Sequence, residues 1–99
     1  MHIFIIEDEQ LIRRELKLLL ENALYQVTAP DAFESVARLT GQILKSEPDL
    51  VLLDVNLPGI SGFDICTQIR QQMDVPVIFT FEYPHNIYQI RSPQPTSYL

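Results

Sequence analysis

Two acidic clusters close the two most apolar segments of the chain. His2-Ile3-Phe4-Ile5-Ile6 leads into Glu7-Asp8-Glu9, and Val51-Leu52-Leu53 leads into Asp54, followed by Val55-Asn56-Leu57-Pro58-Gly59. A short apolar run rich in β-branched residues reads as a strand buried on both faces. An acid that ends such a strand lies at its carboxyl edge, where open α/β sheets bind ligands. Two carboxylates about 4 Å apart repel by roughly 4 kcal/mol at an effective dielectric near 20, a penalty that a bound dication removes. Magnesium suits the site, because it takes one or two carboxylates, keeps waters and leaves room for a phosphoryl oxygen. Asp54 then has the chemistry of a nucleophile toward phosphorus, forming an acyl phosphate, with the metal neutralising the transferring oxygens. Helix capping competes with this reading: Asp8 or Glu9 fits the cap of the segment that follows, and Glu7 and Glu9 taken singly suit either role. Asp54 resists it, since Pro58 delays the next helix beyond capping range.

The elements that must hold these acids follow from periodicity. After the first strand, Gln10 to Leu24 is helical, with Ile12, Leu16, Leu19, Leu20 and Ala23 on one face and Arg13, Arg14, Lys17 and Glu21 solvated. Tyr25–Ala29 is a second strand, stopped by Pro30. Asp31 caps a helix over Ala32–Ser46, with Phe33, Val36, Ala37, Ile43 and Leu44 inward. Pro48-Asp49 precedes the third strand, Leu50–Leu53. Pro58-Gly59 turns the chain, and Ser61 opens a helix carrying Phe63, Ile65, Cys66 and Ile69. Val75–Thr80 is the fourth strand. Strands alternating with amphipathic helices give a doubly wound parallel α/β sheet, in which the first and third strands are neighbours at the switch point. Asp8 and Asp54 are therefore expected in one crevice. From Phe81 to Leu99 no period is evident and three prolines intervene, so this stretch is expected to be irregular.

Composition narrows the classes. Ninety-nine residues allow one domain. Thirteen acids against seven Lys and Arg give a net charge of -6, which argues against direct nucleic-acid binding by this chain. Cys66 is the only cysteine, so an internal disulfide or a cysteine-based metal site is excluded. No apolar run reaches the roughly 18 residues of a membrane span, and the start lacks a signal-peptide pattern, so a cytoplasmic location is expected.

At residues 1 to about 80 the chain resembles the receiver domain of two-component response regulators, of the OmpR type. The carriers are Ile3-Phe-Ile-Ile-Glu-Asp-Glu9, Pro48-Asp-Leu-Val-Leu-Leu-Asp54, Leu57-Pro58-Gly59 with Gly62-Phe63, and Val75-Pro-Val-Ile-Phe79. The resemblance implies a flavodoxin-like fold, incomplete here after the fourth strand. It implies that Asp54 accepts phosphate from a sensor histidine kinase. Asp8 and Asp54 would bind Mg2+ directly, Glu7 through water, and Asn56 through its backbone carbonyl. Such a module catalyses only its own phosphorylation and turns over no separate substrate.

Departures from the family pattern are expected to matter. The family's switch hydroxyl at the end of the fourth strand falls at position 81, which holds Phe81. Thr80 is one residue early, and is the candidate for that role. The family's phosphate-pairing lysine has no counterpart, since Lys17 and Lys45 are the only lysines. The family's last helix and dimer face are missing, which argues against phosphorylation-driven dimerisation and transcriptional output. Residues 81–99 then read as a non-native tail, from truncation or a frameshift after Phe79. The alternative function is a degenerate receiver or fragment that acts only as an interaction module. An aspartate-nucleophile phosphatase is disfavoured, because the second acid that it wants two residues after the nucleophile is here Asn56.

Overall fold

The computed structural model describes residues 1–80, and the expectations for the 81–99 tail and for the slot at Phe81 lie outside the described residues. The chain runs β1 (His2–Ile6), α1 (Gln10–Asn22), β2 (Gln26–Thr28), α2 (Val36–Ser46) and β3 (Leu50–Asp54). A small hairpin follows, β4 (Asn56–Leu57) and β5 (Ile60–Ser61), then α3 (Gly62–Arg70) and β6 (Val77–Thr80). Four strands form one parallel sheet in the order β2-β1-β3-β6. It is the doubly wound, flavodoxin-like arrangement, described as far as its fourth strand. β1 and β3 are neighbours, paired from Ile3↔Leu50 to Ile6↔Leu53, so their carboxyl ends open on one side of the sheet. Asp49 fixes the other end: its carboxylate accepts from the His2 N–H at 2.8 Å, and its own N–H donates to the His2 carbonyl at 2.7 Å.

The two faces of the sheet are unequal. On one, Phe4, Ile6, Val51 and Leu53 meet Leu39 and Ile43 of α2 and Ile65 and Ile69 of α3 in a single buried cluster. On the other, Ile3, Ile5 and Leu52 are covered by Leu16 and Leu20 of α1. No residue of α1 is fully buried. The expected inward face of α1 therefore needs correction, because Leu19 is 66% exposed. Leu16 and Leu20, four apart, line the sheet-facing side, and Leu19 and Ala23 are left exposed.

Other expectations change around α2 and α3. α2 starts at Val36 and not at Ala32, because the Ser35 hydroxyl accepts from the Arg38 N–H at 3.1 Å and caps it. Phe33 packs against the α2–α3 cluster instead of joining a helix, so Asp31 caps nothing there, and Ala37 is exposed. Phe63 is 57% exposed, its ring resting beside Phe79 at a centroid distance of 5.1 Å. Pro58-Gly59 turns the hairpin with Gly59 at φ 69°, a conformation that glycine takes without strain.

Gly62 makes the closest backbone approach. A Cβ on it would collide with the Asp54 carbonyl oxygen and lie 3.1 Å from the Val55 Cα. Helix α3 therefore starts directly against the end of β3. Gly62→Ala is expected to destabilise the chain by about 1–3 kcal/mol through overpacking against an unyielding backbone. Urea unfolding checks this: the midpoint should fall with little change in slope.

Candidate functional site

Asp54 is the last residue of β3 and only 3% exposed. The connection after it folds back so that the Asn56 N–H donates to one Asp54 carboxylate oxygen at 2.9 Å. That bond orients the carboxylate. Glu7 follows the last residue of β1 and is equally buried, at 4%. Its carboxylate accepts from the Glu9 N–H at 3.1 Å. Asp8 is exposed beside them. One carboxylate oxygen from each of Glu7, Asp8 and Asp54 falls within 4.8 Å of the others. The three meet at the crevice between the neighbouring strands β1 and β3, the switch point of the sheet.

Capping does not account for these acids. Glu9 occupies the N-cap position of α1, but its side chain makes no capping hydrogen bond. A cleft of about 230 Å³ opens above the cluster, lined by Asp8, Glu9, Asp54 and Asn56. Its donors are all hard oxygens, the set that Mg2+ prefers, and the cleft leaves room for retained waters.

Electrostatics set the protonation state. Burial raises the Glu7 carboxyl to about 8, opposed by the Glu9 backbone N–H and reinforced by hydrogen bonding and charge repulsion from Asp54. Burial likewise raises Asp54, while the Asn56 N–H and the Glu7 side chain pull it back down. Asp8 beside it pushes Asp54 upward again, so both buried carboxyls hold their protons more tightly than free ones do. A cluster that must retain a proton to tolerate its own charge is one that a dication can relieve.

Thr80 is placed directly opposite Asp54 in the β3–β6 register, and its carbonyl accepts from the Val55 N–H at 3.0 Å. It is half-buried and belongs to β6. Arg13 departs from its expected place on a solvated face, since its guanidinium donates to the Glu7 carbonyl at 3.0 Å. Sequence periodicity misses this contact because the reach of a long side chain to a loop carbonyl leaves no apolar pattern. His2 has a packing role, with Nε2 2.7 Å from the Thr28 hydroxyl.

Comparison with known proteins agrees with this geometry. Residues 3–91 match the model of the response regulator receiver domain. The chain belongs to that family. Among its relatives is the transcriptional regulatory protein CseB of Streptomyces coelicolor, 38% identical over 78 residues, covering 78% of this chain and 32% of that protein. The transcriptional regulatory protein YxdJ of Bacillus subtilis is 42% identical over 77 residues, covering 78% of this chain and 32% of that protein. The receiver thus spans about a third of the length of these relatives. Among solved structures, the BeF3-activated receiver domain of Klebsiella pneumoniae RstA superposes with a TM-score of 0.74 at 25% identity, over 92% of this chain and 75% of that one. The response regulator TrrA of Thermotoga maritima, solved in complex with the histidine kinase ThkA, gives 0.73 at 27% identity, over 99% of this chain and 83% of that one. The OmpR-type receiver reading holds, and the alternative of a bare interaction module is not favoured.

Proposed function

We propose that this receiver takes a phosphoryl group onto Asp54 from the phosphohistidine of a sensor histidine kinase. The observation that carries the proposal is the gathering of Glu7, Asp8 and Asp54 at one strand-end crevice, with Asp54 buried and oriented by the Asn56 N–H. An Asp54 carboxylate oxygen attacks phosphorus, the P–N bond to the kinase imidazole breaks, and the imidazole leaves with the bonding electron pair. Asp8 and Asp54 hold Mg2+ directly, Glu7 acts through water, and Asn56 contributes its backbone carbonyl. The ion supplies positive charge for the transferring oxygens when bound. Glu7 gives up its proton as the site is charged, and burial around Asp54 excludes competing water.

Thr80 is the candidate switch hydroxyl, supported by its register position opposite Asp54. The receiver core includes residues 1–80. The chain acts in the cytoplasm as a phosphoacceptor without turnover of a separate substrate. Its net charge of -6 argues against direct nucleic-acid binding by this chain. Among the described residues no helix is long and apolar enough to cross a membrane.

Incubation with acetyl phosphate followed by intact-mass measurement tests the reading. With Mg2+ present, the chain should gain the mass of one phosphoryl group. With EDTA in place of Mg2+ the gain should vanish. Equal labelling in both conditions would overturn the metal-assisted site.

A further inference from the structure

The triplet Glu7-Asp8-Glu9 lies between the last paired residue of β1, Ile6, and the start of α1 at Gln10. Its carbonyls are past the strand ladder, and those of Glu7 and Asp8 precede the helix ladder. One residue gathers all three. The Arg13 N–H donates to the Glu9 carbonyl at 2.9 Å. The Arg13 guanidinium Nη1 donates to the Glu7 carbonyl at 3.0 Å and reaches the Asp8 carbonyl at 3.4 Å.

We propose that Arg13 is a positioning residue for the acidic site: by holding three consecutive carbonyls, it sets the Glu7 and Asp8 carboxylates beside Asp54. The inference rests on the function proposed above. Backbone oxygens occupy the guanidinium, so Arg13 takes no place among the metal donors. Its charge nevertheless sits near a cluster of three carboxylates and lessens their mutual repulsion. The guanidinium holds Nη1 in a rigid planar group against both carbonyls, whereas the ammonium of lysine is a point charge on a flexible stem.

Rigidity of this loop has a specific consequence for ion choice. Mg2+ demands near-octahedral geometry at short distances, while Ca2+ accepts looser and larger arrangements. A loop freed from Arg13 loses Mg2+ affinity more than Ca2+ affinity. A residue that only supported the fold would lower both together, or neither.

The test uses the full 99-residue chain, its Arg13→Met, Arg13→Lys and Arg14→Met variants, and Mg2+ and Ca2+ titrations followed by amide NMR shifts. Arg14 is exposed on the same helix, so its variant removes an equal charge one residue away. Arg13→Met should weaken Mg2+ binding by about tenfold, the lower end of what outer-shell partners of metal sites contribute. The Mg2+ to Ca2+ affinity ratio should fall with it. Arg13→Lys should lie between wild type and Arg13→Met, and Arg14→Met should match wild type. If Arg13→Met does not fold, Arg13→Lys decides: an affinity ratio equal to wild type overturns the role. Wild type that binds Mg2+ alongside an Arg13→Met variant of equal affinity and ratio overturns the positioning role alone. Wild type that takes no Mg2+ overturns the proposed function and this role together.

Discussion

Asp54→Asn takes up no phosphoryl group under conditions in which the wild-type chain is labelled. The substitution keeps side-chain volume, and the Asn56 N–H can still donate to an amide oxygen, so the end of β3 keeps its shape. What disappears is the carboxylate oxygen with electrons to form the bond to phosphorus. Neither the carboxylate of Glu7 nor that of Asp8 replaces it. Glu7 is buried and protonated at neutral pH, with its carboxylate tied to the Glu9 N–H. Asp8 is exposed, where a mixed anhydride would hydrolyse freely. Removing one of three crowded carboxylates also relieves repulsion, so the metal-free variant should unfold at a higher urea concentration than wild type. The pairing of full loss of labelling with equal or greater stability separates a chemical role for Asp54 from a structural one. Intact-mass labelling and urea unfolding of the same preparation check both halves.

The second large effect is a rise in Mg2+ affinity with pH. Glu7 holds its proton up to about pH 8, well above the ordinary glutamate value of 4.5, chiefly because it is buried. An entering dication must displace that proton, so below pH 8 binding competes with protonation. One proton released implies about tenfold in apparent affinity per pH unit, or roughly a hundredfold between pH 6 and 8. Above pH 8 the dependence should flatten. The sign for folding is the opposite. A folded-state value above the unfolded one means that the native chain binds more protons between pH 4.5 and 8. The contribution of Glu7 to stability is therefore fully present below pH 4.5 and is lost as pH rises through 8. The metal-free chain should be less stable at pH 8 than at pH 5 by about 1–3 kcal/mol, and saturating Mg2+ should reverse that loss. Glu7→Gln, which mimics the protonated form, should abolish the part of the slope between pH 6 and 8. Mg2+ titrations at three pH values on both proteins check this; parallel curves for the two would assign the dependence to another group.

The legibility of this protein in its sequence follows the physics of each signal. The carboxyl ends of β1 and β3 are readable because continuous apolar runs force burial on both faces, and an acid after such a run has only the sheet edge to occupy. Parallel pairing with right-handed crossovers then leaves little freedom in strand order, and the β1–β3 adjacency follows. Signals that depend on tertiary reach are not readable. Ser35, not Asp31, caps α2 because Phe33 is drawn to the core. Leu19 and Phe63 fit a helical stripe yet are exposed, because a period gives the direction of a side chain without showing how far the neighbouring sheet extends. Gly62 reads as an ordinary helix-opening glycine until its distance from the Asp54 carbonyl is known. Arg13 reads as a solvated cation until its carbonyl partners are seen. The acids of the candidate site were legible, but the groups that aim them were not.

The most direct test of the central claim is to locate the phosphoryl group itself. Wild-type chain labelled by acetyl phosphate with Mg2+ would be reduced with borohydride, which converts an aspartyl phosphate to homoserine, then digested and sequenced by mass spectrometry. Conversion confined to Asp54 is the predicted result. Label on Asp8, Glu7 or any residue outside the cleft, or an unmodified Asp54 in a folded chain that binds Mg2+, would contradict it.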